Sequence, residues 1–198
     1  MRTMTDLELK STQTMIMKPE VKNSHMTRSV RVGKVTIGGP EFVVIAGPCS
    51  IENKSQFEDT ANSVKTHGAV LLRGGIWKMR TDAKSFQGLG TEAFQFIKEI
   101  VNDTGLELVT EVTDPRQIEM LDEYVAMYQV GARNMYNYAL LKELGQTRKP
   151  IMLKRSFSAL LDEWVKAAEY ITTGGNENVI LASEVFVHSK PKLDTHSM

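Results

Sequence analysis

The fold is decided by the stretch from residue 42 to residue 52, Phe42-Val43-Val44-Ile45-Ala46-Gly47-Pro48-Cys49-Ser50-Ile51-Glu52. An apolar run leads into a Gly-Pro turn, and the turn carries the one cysteine of the chain. Continuous apolar runs are typical of strands that are buried on both faces of a parallel sheet. The turn would then lie at the carboxyl end of the strand, where α/β proteins place their chemistry. On residue type alone, a lone cysteine is more often a small buried hydrophobe than a ligand or nucleophile.

From residue 42 onward, strand patterns and helix patterns alternate. The predicted strands are 42–46, 69–73, 106–111, 125–130, 150–154 and 178–181. The predicted helices are 54–66, 90–103, 115–122, 134–144 and 159–173. Strands separated by helices of this length indicate βαβ units on a parallel sheet. Six units are fewer than the eight of a (β/α)₈ barrel and also suit an open doubly wound sheet, so the pattern leaves both folds open.

The residues before this alternation form two different segments. Residues 1–29 are polar and rich in methionine, and we expect a poorly ordered arm. Residues 30–40 alternate apolar and polar side chains around Gly33, which predicts a small hairpin that caps the bottom of the sheet.

Composition excludes several classes of function. The chain has 198 residues with 24 basic and 24 acidic side chains, so nothing favours a nucleic-acid or membrane-surface partner. No apolar run is long enough for a membrane span, and the first residues lack the apolar core of a leader peptide. A single cysteine fits a reducing compartment, and we expect a soluble cytoplasmic protein.

Polar or charged residues follow five consecutive predicted strands. In chain order they are Cys49, Arg73 with Lys78 and Arg80 in the following loop, Glu111, Arg133, and Lys154. Solvated surface charge explains one such residue but not the repetition. Because the carboxyl ends of parallel strands meet at one edge, the cations would form one pocket. Guanidinium and ammonium groups suit phosphate and carboxylate, so a small, multiply anionic substrate is predicted.

The same segments carry a family resemblance. They are Gly47-Pro48-Cys49-Ser50-Ile51-Glu52, Leu72-Arg73-Gly74-Gly75, Lys78-Met79-Arg80-Thr81, Ser85-Phe86-Gln87-Gly88-Leu89-Gly90, Val109-Thr110-Glu111, Gln129-Val130-Gly131-Ala132-Arg133-Asn134 and Lys149-Pro150-Ile151-Met152-Leu153-Lys154-Arg155. Together they closely resemble type I 3-deoxy-D-arabino-heptulosonate-7-phosphate (DAHP) synthase, of the branch close to 3-deoxy-D-manno-octulosonate-8-phosphate synthase. The resemblance covers residues 30–181 in unbroken order. It implies an incomplete (β/α)₈ barrel with about six of eight units.

The resemblance also implies an activity. The family condenses phosphoenolpyruvate with erythrose 4-phosphate in the first step of the shikimate pathway, and its members are usually homo-oligomers. Matched residue by residue, Lys78 and Glu111 would be catalytic, with Lys78 as a proton donor. The groups that would hold phosphoenolpyruvate are Arg73, Lys78, Ala132, Arg133 and Lys154. Arg80 and Thr81 would hold the aldose phosphate, and Cys49 would ligate a divalent metal such as Mn²⁺ or Fe²⁺.

The loop after the second predicted strand separates the two branches. Lys78-Met79-Arg80-Thr81 follows the Lys-Pro-Arg-Thr of the heptulosonate enzyme, whereas the octulosonate enzyme usually has Lys-Ala-Asn-Arg-Ser. Met79 replaces a proline, which should loosen the loop. Asp82 stands where a small residue is usual, and its carboxylate should weaken the phosphate grip. The alternatives are an octulosonate synthase and a non-catalytic fragment that pairs with intact subunits or binds phosphorylated ligands.

Residues 182–198 depart from the family pattern. Adding one nucleotide before a back-translation of this tail restores the family's Cys-Glu-Arg-Gly-Ile-Arg-Thr-Phe-Glu, so we expect a shift of reading frame near Leu181 and Ala182. The family's histidine, glutamate and aspartate metal ligands would then be missing, and His188, Asp194 and His196 are not expected to replace them. We expect this truncated chain to hold no metal and to be inactive, because catalytic sites generally need about three protein ligands.

Overall fold

The computed structural model describes residues 28–183. The strands are β1 (Val30–Val32), β2 (Val35–Ile37), β3 (Ile45–Ala46), β4 (Leu71–Arg73), β5 (Glu107–Glu111), β6 (Met127–Val130), β7 (Ile151–Lys154) and β8 (Val179–Ala182). The helices are α1 (Lys54–Thr66), α2 (Phe94–Thr104), α3 (Gln117–Leu121), α4 (Tyr138–Gly145) and α5 (Leu161–Thr173). None of these helices is long and apolar enough to cross a membrane.

The main sheet has six parallel strands whose spatial order, β3-β4-β5-β6-β7-β8, is their order in the chain. The sheet curls into part of a barrel, with helices between successive strands. The predicted fold class is therefore confirmed: an incomplete (β/α)₈ barrel with six units and an antiparallel hairpin before it. Within residues 28–183, β3 and β8 each pair with one strand only.

The hairpin β1–β2 closes the amino-terminal end of the curled sheet. The buried Val32 packs in an inner cluster with Leu71, Val109 and Met127. Lys34 N donates to Glu107 Oε1 at 3.2 Å, and Glu107 is the first residue of β5. The predicted cap at the bottom of the sheet is confirmed. The hairpin does not cover the opposite, carboxyl ends of the strands.

A larger apolar core lies between the outer face of the sheet and the helices. Its members include Phe57 on α1, Ile97 on α2, Leu141 on α4 and Ile171 on α5, all buried. Each of these helices turns one apolar stripe toward the strands and a polar face outward, as amphipathic surface helices do. The loops at the strand ends are therefore mounted on a packed scaffold.

One sequence expectation is wrong: the run 42–46 is not a strand buried on both faces. Only Ile45–Ala46 forms a strand, Phe42 is 92% exposed, and Val43 and Val44 are half-buried. The physical reason is that β3 has one strand neighbour in the described part of the chain, so this apolar run lacks the layer that would cover it. The other predicted elements are confirmed, although α2 and α4 begin at residues 94 and 138 rather than 90 and 134.

The predicted terminal segments are almost entirely outside the described residues. Of the expected arm 1–29 only residues 28 and 29 are described, and of the expected tail 182–198 only Ala182 and Ser183. The expected disorder of the arm and the expected change of reading frame therefore stay predictions.

A substitution of Gly47 can test how tightly the turn after β3 is packed against β4. Its φ is +146°, and a Cβ there would lie 2.0 Å from the backbone oxygen of Arg73. We expect Gly47→Ala to lower the free energy of unfolding by about 2–4 kcal/mol, through backbone strain and overpacking. Urea unfolding of the purified chain measures this.

Gly68→Ala is the matched control for this substitution. Gly68 also has a positive φ, +87°, but a Cβ there would meet nothing within 4 Å. We expect it to cost about 1 kcal/mol from backbone strain alone. Equal effects of the two substitutions would show that the contact between the turn and β4 is not tight in solution.

Candidate active site

A small cavity lies at the carboxyl ends of β4 to β7. Its volume is about 60 Å³, and it is lined by Lys78, Glu111, Gln129, Gly131, Ala132, Arg133, Lys154 and Phe157. A space of this size holds a few water molecules, so it suits one anionic group of a ligand better than a whole sugar phosphate. Five residues predicted from the sequence are brought together here: Lys78, Glu111, Ala132, Arg133 and Lys154.

A buried ion pair crosses the cavity. Lys78 Nζ lies 2.6 Å from Glu111 Oε2, and the two side chains are only 11% and 8% exposed. Glu111 is the last residue of β5, and Lys78 follows β4 by five residues. With Arg133 and Lys154 also lining the space, three cationic side chains face one carboxylate. The cavity is therefore suited to bind an anion.

The backbone that follows β6 leaves room for the Lys78–Glu111 pair. A Cβ on Gly131 would lie 2.2 Å from Glu111 Oε1, so only glycine leaves room for the carboxylate. A 3₁₀ turn, Ala132–Asn134, follows, and Asn134 N donates to Gly131 O at 2.9 Å. The buried Asn134 also donates from Nδ2 to Thr113 O at 3.2 Å. These bonds fix the turn that presents Arg133 to the cavity.

Thr110 holds the backbone between β4 and Lys78 in place, a role that was not predicted for it. Its buried hydroxyl donates to Gly74 O at 2.6 Å and accepts from Ile76 N at 3.3 Å. One side chain on β5 thus sets the path of the backbone that leads from β4 to Lys78. Thr110 lies in a motif quoted for the family resemblance, and its position next to Glu111 was the available signal.

Arg73 and Cys49 lie beside this cavity rather than in its lining. Cys49 follows β3 by three residues and Arg73 is the last residue of the neighbouring strand β4, and Arg73 Nη2 is 3.9 Å from Cys49 Sγ. The turn that carries Cys49 is joined to the loop after β4, because Ile51 N donates to Gly75 O at 2.9 Å. The structure therefore brings these two predicted residues together as a neighbouring pair.

The residues around Cys49 do not fit a metal centre. Among residues 28–183, no group of three histidine, cysteine, aspartate or glutamate side chains could hold a metal ion. The group in contact with the Cys49 thiol is a guanidinium, which repels a cation. The metal-ligand role of Cys49 stays a prediction.

Arg80 and Thr81 lie on an exposed loop and do not line the cavity. The loop closes on itself: Lys78 N donates to Gln87 O at 2.7 Å, and Arg80 Nε donates to Phe86 O at 3.2 Å. One edge of the Arg80 guanidinium is thus used to hold the loop. Lys78 thus lines the cavity and also begins the loop that carries Arg80 and Thr81, whose contact with the aldose phosphate stays a prediction.

Asp82 is part of the turn at the tip of this loop. Its Oδ1 accepts from Lys84 N at 2.9 Å, and its carbonyl oxygen accepts from Ser85 N at 3.1 Å. This is the local side-chain-to-backbone bonding that aspartate makes in turns. The substitutions at Met79 and Asp82 therefore occur in a loop with its own bonds, and the expected loss of phosphate affinity stays a prediction.

Asp114, three residues beyond the end of β5, forms a separate ion pair with Arg116. Hydrogen bonds from the Arg116 guanidinium and then from Arg116 N lower the pKa of Asp114 to about 2. Both oxygens of the carboxylate accept from Arg116, at 2.8 and 2.7 Å. Because this carboxylate is neutralised by its neighbour, it does not compensate the cations around Glu111.

Comparison with known sequences identifies the family of this chain. The sequence model described as the DAHP synthetase I family matches residues 13–194 of the 198. The chain belongs to the DAHP synthetase I family. The matched range extends beyond residues 30–181 at both ends, so it includes most of the tail for which a shifted frame is expected.

Two curated relatives represent the two branches. The chain is 39% identical over 152 residues to a phospho-2-dehydro-3-deoxyheptonate aldolase of Thermotoga maritima, covering 77% of this chain and 45% of the relative. It is 29% identical over 165 residues to a 2-dehydro-3-deoxyphosphooctonate aldolase of Geobacter sulfurreducens, covering 79% of this chain and 60% of the relative. This member of the DAHP synthetase I family thus spans about half the length of the curated relatives it matches.

Solved structures agree with the fold. A crystal structure of the Thermotoga maritima DAHP synthase superimposes with a TM-score of 0.73 at 38% identity, covering 78% of this chain and 45% of that one. A truncated form of the 3-deoxy-D-arabino-heptulosonate 7-phosphate synthase from the same organism gives a TM-score of 0.69 at 32% identity, covering 81% and 59%. The six units are therefore those of a DAHP synthase barrel.

The buried ion pair can be tested through stability. We expect Lys78→Met to lower the free energy of unfolding by about 3 kcal/mol, because it leaves the buried Glu111 carboxylate without its partner. Urea unfolding measures the change.

Lys54→Met is the matched control for the buried pair. It breaks a lysine–glutamate pair of nearly the same length, Lys54 Nζ to Glu99 Oε2 at 2.7 Å, in which the side chains are 46% and 55% exposed. We expect no measurable change, since exposed pairs are screened by solvent. Equal stabilities of the two variants would mean that Glu111 and Lys78 are solvated and not paired.

Proposed function

We propose that this chain is part of an enzyme that condenses phosphoenolpyruvate with erythrose 4-phosphate to 3-deoxy-D-arabino-heptulosonate 7-phosphate, the first step of the shikimate pathway. The observation that carries the proposal is the cationic cavity around the Lys78–Glu111 pair, at the carboxyl ends of β4 to β7. The family membership and the 39% identity to a heptonate aldolase support the same reaction. The single cysteine fits a reducing cytoplasmic location.

Phosphoenolpyruvate carries a phosphate and a carboxylate on a three-carbon frame, so it needs several cations close together. Lys78, Arg133 and Lys154 supply them in one cavity, with Arg73 at the adjacent strand end. The Arg133 guanidinium suits two oxygens of one anionic group, and the lysines act as point charges. Ala132 in the same lining leaves space for the substrate. The exposed Arg80 and Thr81 would hold the aldose phosphate outside the cavity.

The reaction forms a carbon–carbon bond between C3 of phosphoenolpyruvate and the aldehyde carbon of the aldose. Water adds to C2, the C2–oxygen bond to phosphate breaks, and inorganic phosphate leaves with the electron pair. The aldehyde oxygen takes up a proton. Lys78 is suited to donate it, since its ammonium faces the cavity and is held in place by Glu111 at 2.6 Å. Glu111 would stabilise the ammonium before transfer and receive a hydrogen bond from it throughout.

The second candidate is the octulosonate synthase, which performs the same chemistry on a five-carbon aldose phosphate. Its support is the group of octonate aldolases that match at 25–30% identity. The Lys78-Met79-Arg80-Thr81 segment and the higher identity to the Thermotoga enzyme favour erythrose 4-phosphate. Arabinose 5-phosphate and erythrose 4-phosphate supplied in parallel to a restored full-length version, with phosphate release as the measurement, distinguish the two.

Binding of phosphoenolpyruvate to the 198-residue chain tests the proposed substrate. By isothermal titration calorimetry we expect binding that Lys154→Met weakens about tenfold to a hundredfold, through loss of a charge-assisted contact. Lys166→Met on the exposed side of α5 is the matched control and should bind as the unchanged chain does. Absence of binding in the unchanged chain, or equal weakening by both substitutions, contradicts the proposal.

Repeating the titration with Mn²⁺ separates the enzyme from the non-catalytic fragment. Metal-dependent binding together with aldose-dependent phosphate release supports the synthase. Binding that Mn²⁺ does not change, without phosphate release, supports a fragment that binds phosphorylated ligands and accords with the absence of a metal-holding group in residues 28–183.

A further inference from the structure

Phe157 is an aromatic residue at the rim of a charged cavity. It follows β7 by three residues and lines the cavity together with Lys78, Glu111, Arg133 and Lys154. Its side chain is 64% exposed, although a phenylalanine is usually buried. No role was predicted for Phe157 from the sequence, because an apolar residue in a loop carries no chemistry of its own.

The loop that carries Phe157 is held in one conformation by the preceding arginine. Arg155 Nε and Nη2 both donate to Ala159 O, at 3.0 and 2.6 Å, and so close residues 155–159 into a ring. Inside the ring, Ala159 N donates to Ser156 O at 3.2 Å. Ser156 N contacts Met135 Sδ at 3.2 Å, which ties the loop to the turn after β6.

The two adjacent cations Lys154 and Arg155 therefore have different tasks. Lys154 lines the cavity, whereas the Arg155 guanidinium is engaged with the backbone of its own loop. Arg155 N also donates to Ala182 O at 3.0 Å, which fixes the base of the loop on β8. The position of the Phe157 ring thus depends on a side chain that does not line the cavity.

An aromatic ring at the rim has a physical effect on the charges behind it. It displaces water from the entrance, and electrostatic attraction between cations and a bound anion grows as water is excluded. The ring edge is also weakly positive, so it tolerates an anion beside it. A leucine would exclude water in the same way, whereas an alanine would leave the entrance open.

We propose that Phe157 covers the anion bound between Lys78, Arg133 and Lys154, and that Arg155 is the positioning residue that holds it there. The inference deepens the proposed function and rests on it for the identity of the anion, phosphoenolpyruvate. Inorganic phosphate shares the same chemistry and serves as a second probe that does not depend on the reaction.

The test is calorimetry with both probes on the full chain. We expect Phe157→Ala to weaken the binding of both anions about tenfold and to make it fall more steeply with added salt. Phe157→Leu should restore affinity to within about twofold, since it keeps most of the apolar cover. Phe42→Ala removes a still more exposed phenylalanine, far from the cavity at the amino-terminal side of β3, and should change nothing.

Arg155→Ala separates positioning from direct binding. If Arg155 acts through Phe157, the double variant with Phe157→Ala should bind no more weakly than either single variant. Additive losses would assign Arg155 a direct contact with the anion and overturn the positioning role. Thermal unfolding of each variant confirms that it is folded at the titration temperature.

The outcomes distinguish this inference from the proposed function. If phosphoenolpyruvate binds equally to the unchanged chain and to Phe157→Ala at all salt concentrations, Phe157 does not cover the bound anion. The proposed substrate then stands. If inorganic phosphate binds with the predicted dependence on Phe157 while phosphoenolpyruvate does not bind, the role of Phe157 as a cover is supported. The proposed substrate is then wrong. If neither anion binds, both are wrong.

Discussion

The contact between Lys78 and Glu111 joins the ends of two parallel strands, and the site is organised around it. It exists because β4 and β5 are paired in register, so that the chain leaving Arg73 runs beside the end of β5. Thr110 then directs the backbone at Gly74 and Ile76 toward Lys78. Glu111 in turn needs the missing Cβ of Gly131 on the loop after β6. One buried pair of charges thereby specifies residues on three successive units.

The same pair explains why the site is cationic without being unstable. A cluster of buried positive charges would be costly in the absence of ligand, because buried like charges repel in a medium of low dielectric constant. The carboxylate of Glu111 pairs with Lys78 and so offsets part of the positive charge that Lys78, Arg133 and Lys154 bring to the cavity lining.

Much of the fold was predictable from the sequence, because the spacing of apolar residues reports local structure directly. Convergence of Lys78, Glu111, Arg133 and Lys154 was predictable as well, since parallel strands end at one edge. The exposure of Phe42 was not, because a single strand carries no information about whether a neighbour covers it. The different roles of Lys154 and Arg155 were not predictable either. The role of Arg155 depends on its hydrogen bond to the backbone oxygen of Ala159, four residues further along the chain.

Strand order equal to chain order has a consequence for how the protein is made. Each strand of the main sheet after β3 pairs with the strand synthesised just before it, so each of these strands can pair with its predecessor as soon as it leaves the ribosome. The bond from Lys34 to Glu107 is an exception that spans 73 positions. The amino-terminal hairpin can therefore make this bond only after the third strand of the sheet, β5, has been synthesised.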